Sequence, residues 1–461
     1  MTNKIKQRTY LFLKGKLASP LLSGSGETNE TKNDVVVDAF NHPFVPGSSL
    51  AGAFRHQLEQ IFVLDKNEID SLFGNKERQS RLIVHSMKIN NEKITIRDGV
   101  ELSEDKLAKE KALYHYQVIE TGASWEIRLE WVIRDENDEK NTNKEKALIN
   151  GILEGIDSGH FRIGAKTNRG FGKLTLKSVQ IEEFNYEKKE DAKRWLTWCW
   201  DCLIKSDKNV IEDKRLLGND QIKLDKTTHF SLWVPLALKD TLMIRSYRID
   251  EKNEDGNLNS KEDEQKNEDD YVHLQANGKS VIPGTTWAGA IRSRLSFILD
   301  TSFKEMSGKT KLIEALFGSS TTVLKDEKLQ ASFIQVDQSV LNKDRSLSIT
   351  RNAIDRFTGG TVEGALYTGK VAVRGETELV LRWTGKNNGL SNEAICGMLL
   401  WVIKDLQEGF LAIGGETSVG RGIFKKHPTK KINLNGQELT NESAYFKEAA
   451  RAVKEWNNGL T

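Results

Sequence analysis

Cysteine is scarce: the chain has three, Cys199, Cys202 and Cys396. The pair in Cys199-Trp200-Asp201-Cys202 has no second pair to complete a four-ligand zinc site, and its tryptophan-rich helical setting reads as packing rather than metal or redox chemistry. Long apolar runs are missing as well, so no segment is fit to span a membrane. Met1-Thr2-Asn3-Lys4-Ile5-Lys6 leads into a strand pattern without the apolar core of a signal peptide. The expectation is a cytoplasmic protein with no membrane partner. A repeated histidine is also lacking. His42, His56, His85, His115, His160, His229, His273 and His427 recur at no matching positions, which disfavours histidine-based nuclease chemistry. Net charge is small, +2, but residues 250–270 hold ten acids and three lysines, a local −7 that leaves +9 on the rest. A mildly basic body permits a nucleic-acid partner.

What the chain does have is a duplication. Pro46-Gly47-Ser48-Ser49-Leu50-Ala51-Gly52-Ala53-Phe54-Arg55 returns as Pro283-Gly284-Thr285-Thr286-Trp287-Ala288-Gly289-Ala290-Ile291-Arg292, 237 residues later. In each copy Pro-Gly ends an extended run, two hydroxyl residues follow, and an apolar stripe begins at helical spacing: Leu50, Phe54, Leu58, Phe62, then Trp287, Ile291, Leu295, Leu299. Each copy reads as strand, tight turn and hydroxyl-capped helix. Further marks repeat in order at offsets of 237 to 254: Leu72-Phe73-Gly74 and Leu316-Phe317-Gly318, Arg97-Asp98-Gly99-Val100 and Arg351-Asn352-Ala353-Ile354, Gly164 to Gly172 and Gly414 to Gly422. Units of this length are tandem homologous domains, not solenoid repeats.

Strand patterns at Tyr10–Leu17, Arg81–Ile89, Gly122–Ile133, Ser332–Val336 and Gly375–Trp383 alternate with helical ones near Lys144–Ile156 and Ala394–Leu406. The expected fold is α+β: two tandem ferredoxin-like, RRM-like domains with inserted hairpins and Gly-rich loops. The expected divisions are 1–186, a helical connector at 187–226, 227–425 with a disordered acidic insertion at about 249–270, and a tail at 426–461.

Two features of each copy suit phosphate. Free N–H groups at the helix start, with Ser48 and Ser49 or Thr285 and Thr286 beside them, can hold an anion, and Arg55 and Arg292 follow at matching places. In the Gly-rich closures the backbone can approach a ligand closely, with Lys166, Arg169 or Arg421 alongside; a structural hairpin with surface arginines fits the same residues. For acid-base work the aspartates are the better candidates. Attack of a ribose 2′-hydroxyl on its own phosphate needs only a positioned base or a metal-holding carboxylate. Asp34 and Asp38 precede the first motif, Asp269 and Asp270 the second; both sets also read as solvated loop carboxylates.

With Ser25-Gly26 through Asp34, the Pro-Gly-hydroxyl helices, Leu72-Phe73-Gly74, Ile349 to Arg356 and the two Gly-rich closures in place, the chain resembles a tandem fusion of two RAMP-superfamily domains. Such domains are backbone subunits of type III CRISPR-Cas effector complexes, and a fused pair is most similar to the double backbone subunit of type III-D variant systems. The resemblance implies a ribonucleoprotein with CRISPR guide RNA, complementary target RNA and other type III effector subunits as partners, acting in antiviral defence. It implies a thumb-like hairpin that kinks the guide, and cleavage of paired target RNA by a loop aspartate with Mg2+ or another divalent cation and no organic cofactor. By position the cutting residue is Asp34 in the first domain and Asp269 or Asp270 in the second. Guide contacts carried over likewise are Ser48, Ser49, Arg55, Lys166 and Arg169, then Thr285, Thr286, Arg292, Arg351 and Arg421.

Overall fold

The computed structural model describes residues 4–24, 34–102, 108–135, 139–204, 210–211, 229–246, 271–303, 306, 308–319, 330–385, 389–457 and 459. Asp269, Asp270 and the whole acidic stretch at 249–270 lie outside the described residues. The chain divides into two compact units, Met1–Thr95 with Tyr114–His229, and Ile96–Leu113 with Phe230–Thr461.

The elements of the first half are β1 (Ile5–Leu17), β2 (Phe44–Val45), α1 (Gly47–Ile61), α2 (Lys66–Phe73), β3 (Leu82–Val84), β4 (Met87–Asn90), β5 (Ile94–Leu102), β6 (Ala108–Ile119), β7 (Ser124–Arg134), α3 (Glu139–Asp157), β8 (Leu174–Asn185), α4 (Lys189–Leu196), α5 (Trp200–Ile204) and β9 (Val210–Ile211). Strand β1 lies between β7 and β8, antiparallel to both, in a sheet of order β2-β4-β7-β1-β8-β9 with β3 also on β7. With α1 after β1 and α3 after β7 this is the βαββαβ order expected of a ferredoxin-like unit. Because side chains alternate along a strand, Leu11, Leu13 and Leu17 face one side. There they form a core with Leu50, Phe54 and Leu58 of α1 and Leu148, Ile152 and Leu153 of α3. Each of those helix residues contributes on the order of 1.5–3 kcal/mol by leaving water.

The opposite face of this sheet is also covered. Tyr10, Phe12 and Phe184 are buried there, under the segment expected as a single connecting helix. That segment is two short helices, α4 and α5, with a break between them that lets the tryptophans turn inward. Trp195 Nε1 donates to Tyr10 Oη at 2.8 Å, Trp198 lies against Tyr10 with centroids 4.2 Å apart and the rings tilted by 36°, and Trp200 meets Tyr10 edge-on at 5.3 Å. The connector is therefore packed into the first unit, and the open sheet face that RRM-like domains can offer to bases is closed here.

The second half contains β10 (Phe230–Leu238), β11 (Thr241–Leu242), β12 (Arg245–Ser246), β13 (Tyr271–His273), β14 (Gln275–Ala276), β15 (Lys279–Ile282), α6 (Gly284–Ser302), α7 (Lys309–Phe317), β16 (Ile334–Val336), β17 (Ser339–Val340), β18 (Arg345–Ile354), β19 (Thr361–Val373), β20 (Glu376–Trp383), α8 (Asn392–Gln407), β21 (Phe424–Lys426), β22 (Asn433–Leu434), β23 (Gln437–Glu438) and α9 (Glu442–Asn457). Strand β10 pairs antiparallel with β20 and β21, and β16 pairs with β20, which repeats the first unit's order. Its core joins Trp287, Ile291 and Leu295 of α6 to Leu399 and Ile403 of α8. The fold is thus α+β in both halves. Residues 426–461, set apart in sequence as a tail, hold the β22–β23 hairpin and α9, whose Ala449, Ala452 and Val453 lie in that core. The close approach depends on Gly397 of α8, where a Cβ would stand 2.1 Å from the Tyr445 carbonyl oxygen.

Candidate nucleic-acid interface

The helix starts are built by proline and glycine rather than by the hydroxyls. Pro46 occupies the N-cap of α1 at φ −56°, ψ 140°, Pro283 that of α6 at φ −61°, ψ 145°, and neither helix has a side-chain cap bond. Proline's fixed φ and missing N–H already suit an entry to a helix, so no capping hydroxyl is required. Gly47 allows α1 to sit against the β3–β4 turn, since a Cβ there would meet the Val84 carbonyl oxygen at 2.3 Å. Ser48 and Ser49 are left exposed in the first turn, while Thr285 and Thr286 are half-buried. Thr286 N–H donates to the Pro283 carbonyl at 3.0 Å and Gly47 N–H to Ser86 Oγ at 3.2 Å, so the anion-binding character expected of the first turns rests, among the described residues, on the amides of Ser48, Ser49 and Thr285.

Arg55 does not join them. Its Nη2 pairs with Asp70 Oδ1 on α2, its Nη1 donates to the Gly74 carbonyl at 3.2 Å, and Glu59 lies 3.7 Å from Nε. Arg55 thus fastens α1 to the Leu72-Phe73-Gly74 turn. Its counterpart Arg292 is half-buried on α6.

The Gly-rich closures have one backbone and two chemistries. In the first, Ile163 N–H donates to the Gly172 carbonyl at 3.1 Å, and Gly172 at φ 72° could carry no Cβ, which would stand 1.8 Å from the Ile163 carbonyl oxygen. The second repeats this with Ile413 and Gly422, at 2.9 Å and again 1.8 Å. Lys166 and Glu416 fill matching left-handed positions, φ 56° and 57°, each opening a 3-10 turn.

Lys166 Nζ lies 3.4 Å from the Tyr116 ring centroid and 3.3 Å from Tyr114 Oη, both on β6. Among the described residues no carboxylate pairs with Lys166 or Arg169. Burial, and secondarily the Arg169 charge, lowers the Lys166 ammonium to about 8, and burial also lowers Arg169. Lys166 over two tyrosine rings, with the Arg169 guanidinium on the same glycine loop, forms a surface ready for a phosphate and an adjoining base.

Glu416 reverses this. Its Oε1 accepts from Tyr271 Oη at 3.1 Å and from Arg245 Nη2 at 3.2 Å; its Oε2 accepts from Arg351 Nη1 at 3.0 Å and lies 3.3 Å from Arg421 Nε. Burial opposes ionisation, but the bond from Arg245, the Arg421 charge and the other donors hold this carboxyl below its usual value. Arg421 is only 2% exposed, so it is packed beneath the loop and not displayed on it. Arg351 and Arg421, expected as guide contacts, are both engaged with this carboxylate.

Asp34 is half-buried in the loop leading to β2, next to Val35, whose N–H donates to Gln117 Oε1 at 3.2 Å. Asp38 is a turn former: its Oδ1 accepts from the His42 N–H at 2.9 Å and the Phe40 N–H at 2.8 Å, and these bonds lower its pKa. Among the described residues no three His, Cys, Asp or Glu side chains gather to hold a metal ion. Residues 25–33, which precede Asp34 in the same loop, lie outside the described residues.

Sequence reasoning missed Tyr114 and Tyr116 as partners of Lys166, although their spacing of two on a strand puts them on one face. It also missed Glu416, and the tip of the β18–β19 hairpin, where Asp355 Oδ1 accepts from the Thr358 and Phe357 N–H groups at 2.7 and 2.9 Å and Phe357 stands 99% exposed.

The RAMP superfamily model matches residues 14–175 and 206–425, more than half of the sequence. The chain belongs to the RAMP superfamily. A structural likeness of this RAMP chain is to a chain in the cryo-EM structure of the type III-B Cmr-beta bound to cognate target RNA, at 16% identity and a TM-score of 0.30, covering 38% of the present chain. The match spans 61% of that chain's length. No curated protein matches. Among the described residues no helix is long and apolar enough to cross a membrane.

Proposed function

We propose that this RAMP chain is a guide-RNA-binding backbone subunit of a type III CRISPR effector complex, assembling with other subunits and with target RNA paired to the guide. The observation that carries the reading is the Lys166–Arg169 loop: Lys166 stands over Tyr114 and Tyr116, neither cation has a carboxylate partner among the described residues, and the backbone is shaped by positive-φ glycines. Family membership across both halves supports it, as do the helix starts at Gly47 and Gly284. The closed sheet face of the first unit directs RNA to these loops rather than to the sheet.

The same reading includes target cleavage at Asp34. Its carboxylate would take the proton of a 2′-hydroxyl, whose oxygen attacks the adjoining phosphate in line. The products would be a 2′,3′-cyclic phosphate and a 5′-hydroxyl, the leaving oxygen taking its proton from water. A divalent cation, when bound, would stabilise the charge that builds on the phosphate oxygens; the chain's own part is the base at Asp34. A scaffold that binds guide RNA and cuts nothing is the second reading, favoured by the consumption of Asp38 in its own turn. The test is end-labelled complementary RNA added to the assembled complex, with magnesium or with a chelator, for wild type, Asp34→Ala and Asp270→Ala. A cut lost with Asp34→Ala while assembly persists supports cleavage; cuts indifferent to both variants, or absent, leave the scaffold. Failure of the chain to bind guide RNA at all would sink both.

A further inference from the structure

Cys199 and Cys202 do not pack. Both are exposed, and their sulfurs lie 3.1 Å apart on the turn that opens α5. The burial expected of this stretch is taken by its tryptophans instead. Trp198 and Trp200 lie 5.4 Å from each other and both contact Tyr10, while Arg128 stacks over Trp200 at 5.2 Å. Buried Gln180 donates to the Leu203 carbonyl at 3.0 Å, which pins the chain just beyond Cys202. The two thiols are therefore held side by side at the surface by neighbours that fix both ends of the turn.

We propose that Cys199 and Cys202 form a redox-active dithiol that closes to a disulfide by exchange with a small-molecule disulfide. A metal site is the poorer reading, because among the described residues no third His, Cys, Asp or Glu joins the pair. Closing the sulfurs to bonding distance needs a movement of about 1 Å. Cys199 is the attacking group: the Cys202 thiol 3.1 Å from its sulfur, and secondarily the backbone N–H groups of the turn, favour its thiolate. The Cys199 thiolate attacks one sulfur of the small disulfide, forming a mixed disulfide and releasing the first small thiolate. The Cys202 thiolate then attacks Cys199 Sγ and expels the second. The protein loses two protons and two electrons, and one small disulfide takes them up to become two small thiols. Cys396 stays out of this chemistry, since it is buried in the second unit's core and burial pushes its thiol up to about 12.

The test equilibrates the full chain in glutathione buffers from reducing to oxidising, quenches with acid, alkylates, and maps the peptides by mass. The expected result is loss of two hydrogens from the Cys199–Cys202 peptide, restored by dithiothreitol, with Cys396 still alkylatable after unfolding. Cys202→Ser should stop at a stable glutathione adduct on Cys199, and Cys199→Ser should form an adduct several-fold more slowly. Two alkylatable thiols at every poise, cross-links between chains only, or zinc retained by the reduced protein through these sulfurs would each overturn the proposal.

Discussion

The two Gly-rich loops share a hydrogen-bond pattern and a set of forced glycines, yet position 166 is a lysine and its partner position 416 a glutamate. In the first unit Lys166 faces two tyrosines, and neither it nor Arg169 meets a described carboxylate. In the second, one carboxylate collects Arg245, Arg351, Arg421 and Tyr271. The backbone of such a loop follows from steric rules that duplication preserves. Its electrostatics follow from one side chain and whatever the neighbouring strands bring to it. Two domains of one origin can therefore keep one architecture and differ in their readiness for an anion.

The largest effect expected of breaking this contrast comes from the first unit. Lys166→Glu with Arg169→Glu should weaken RNA binding about a hundredfold or more at moderate salt. It should also flatten the salt dependence by about 1.4 in log–log slope, as for two single-strand phosphate contacts. Filter binding across a salt series measures both, and an unchanged slope would remove this loop from the interface. Next in size is Arg55→Ala, which strands Asp70 against Gly74; about 2–3 kcal/mol of stability should go, short of the cost for a fully buried pair. Denaturant unfolding reports that loss. A fall in RNA affinity at unchanged stability would instead return Arg55 to the phosphate contacts.

The lowered Lys166 ammonium makes the contrast sensitive to pH. As pH rises from 7 to 9 through about 8, the ammonium deprotonates, and RNA affinity should fall by up to about tenfold. Stability without RNA moves the other way. Between about 8 and the ordinary lysine value the unfolded chain binds more protons than the folded one, so Lys166 favours folding increasingly as pH rises. Lys166→Arg should abolish the affinity change, because guanidinium stays charged throughout this range. Smaller again, Glu416→Gln should raise RNA affinity about threefold and steepen the salt slope, by freeing Arg351 while leaving an acceptor for Tyr271.

The duplication and the strand order were legible because they rest on local patterning: apolar stripes at helical spacing after Pro46 and Pro283, and alternation along Tyr10–Leu17. The glycines of the closures were legible for the same reason, since a Cβ at Gly172 or Gly422 is impossible in either loop. What stayed hidden depends on partners distant in the chain. Glu416 gathers residues from β12, β13 and β18, and no spacing rule joins those to a loop. Trp195, Trp198 and Trp200 read as a connecting helix because a helical pattern does not say which sheet face it will cover. The hydroxyls at 48 and 49 were misread as caps because proline, which cannot cap through its side chain, already sets the backbone for helix entry.

The smallest effect is the most discriminating. Arg351 lies on the β18–β19 hairpin, and a position of that kind suggests a phosphate contact; yet its Nη1 is 3.0 Å from Glu416 Oε2. If the carboxylate consumes it, Arg351→Ala in the wild-type background should change RNA affinity by no more than about twofold, a rim effect screened by salt. In the Glu416→Gln background the same substitution should cancel the gain, because the freed guanidinium is what produced it. The double-mutant cycle therefore reads a coupling between residues 351 and 416 that neither single variant shows. A large loss from Arg351→Ala alone would mean that RNA competes successfully with Glu416 for this arginine, and that the second loop is open to phosphate despite its built-in carboxylate.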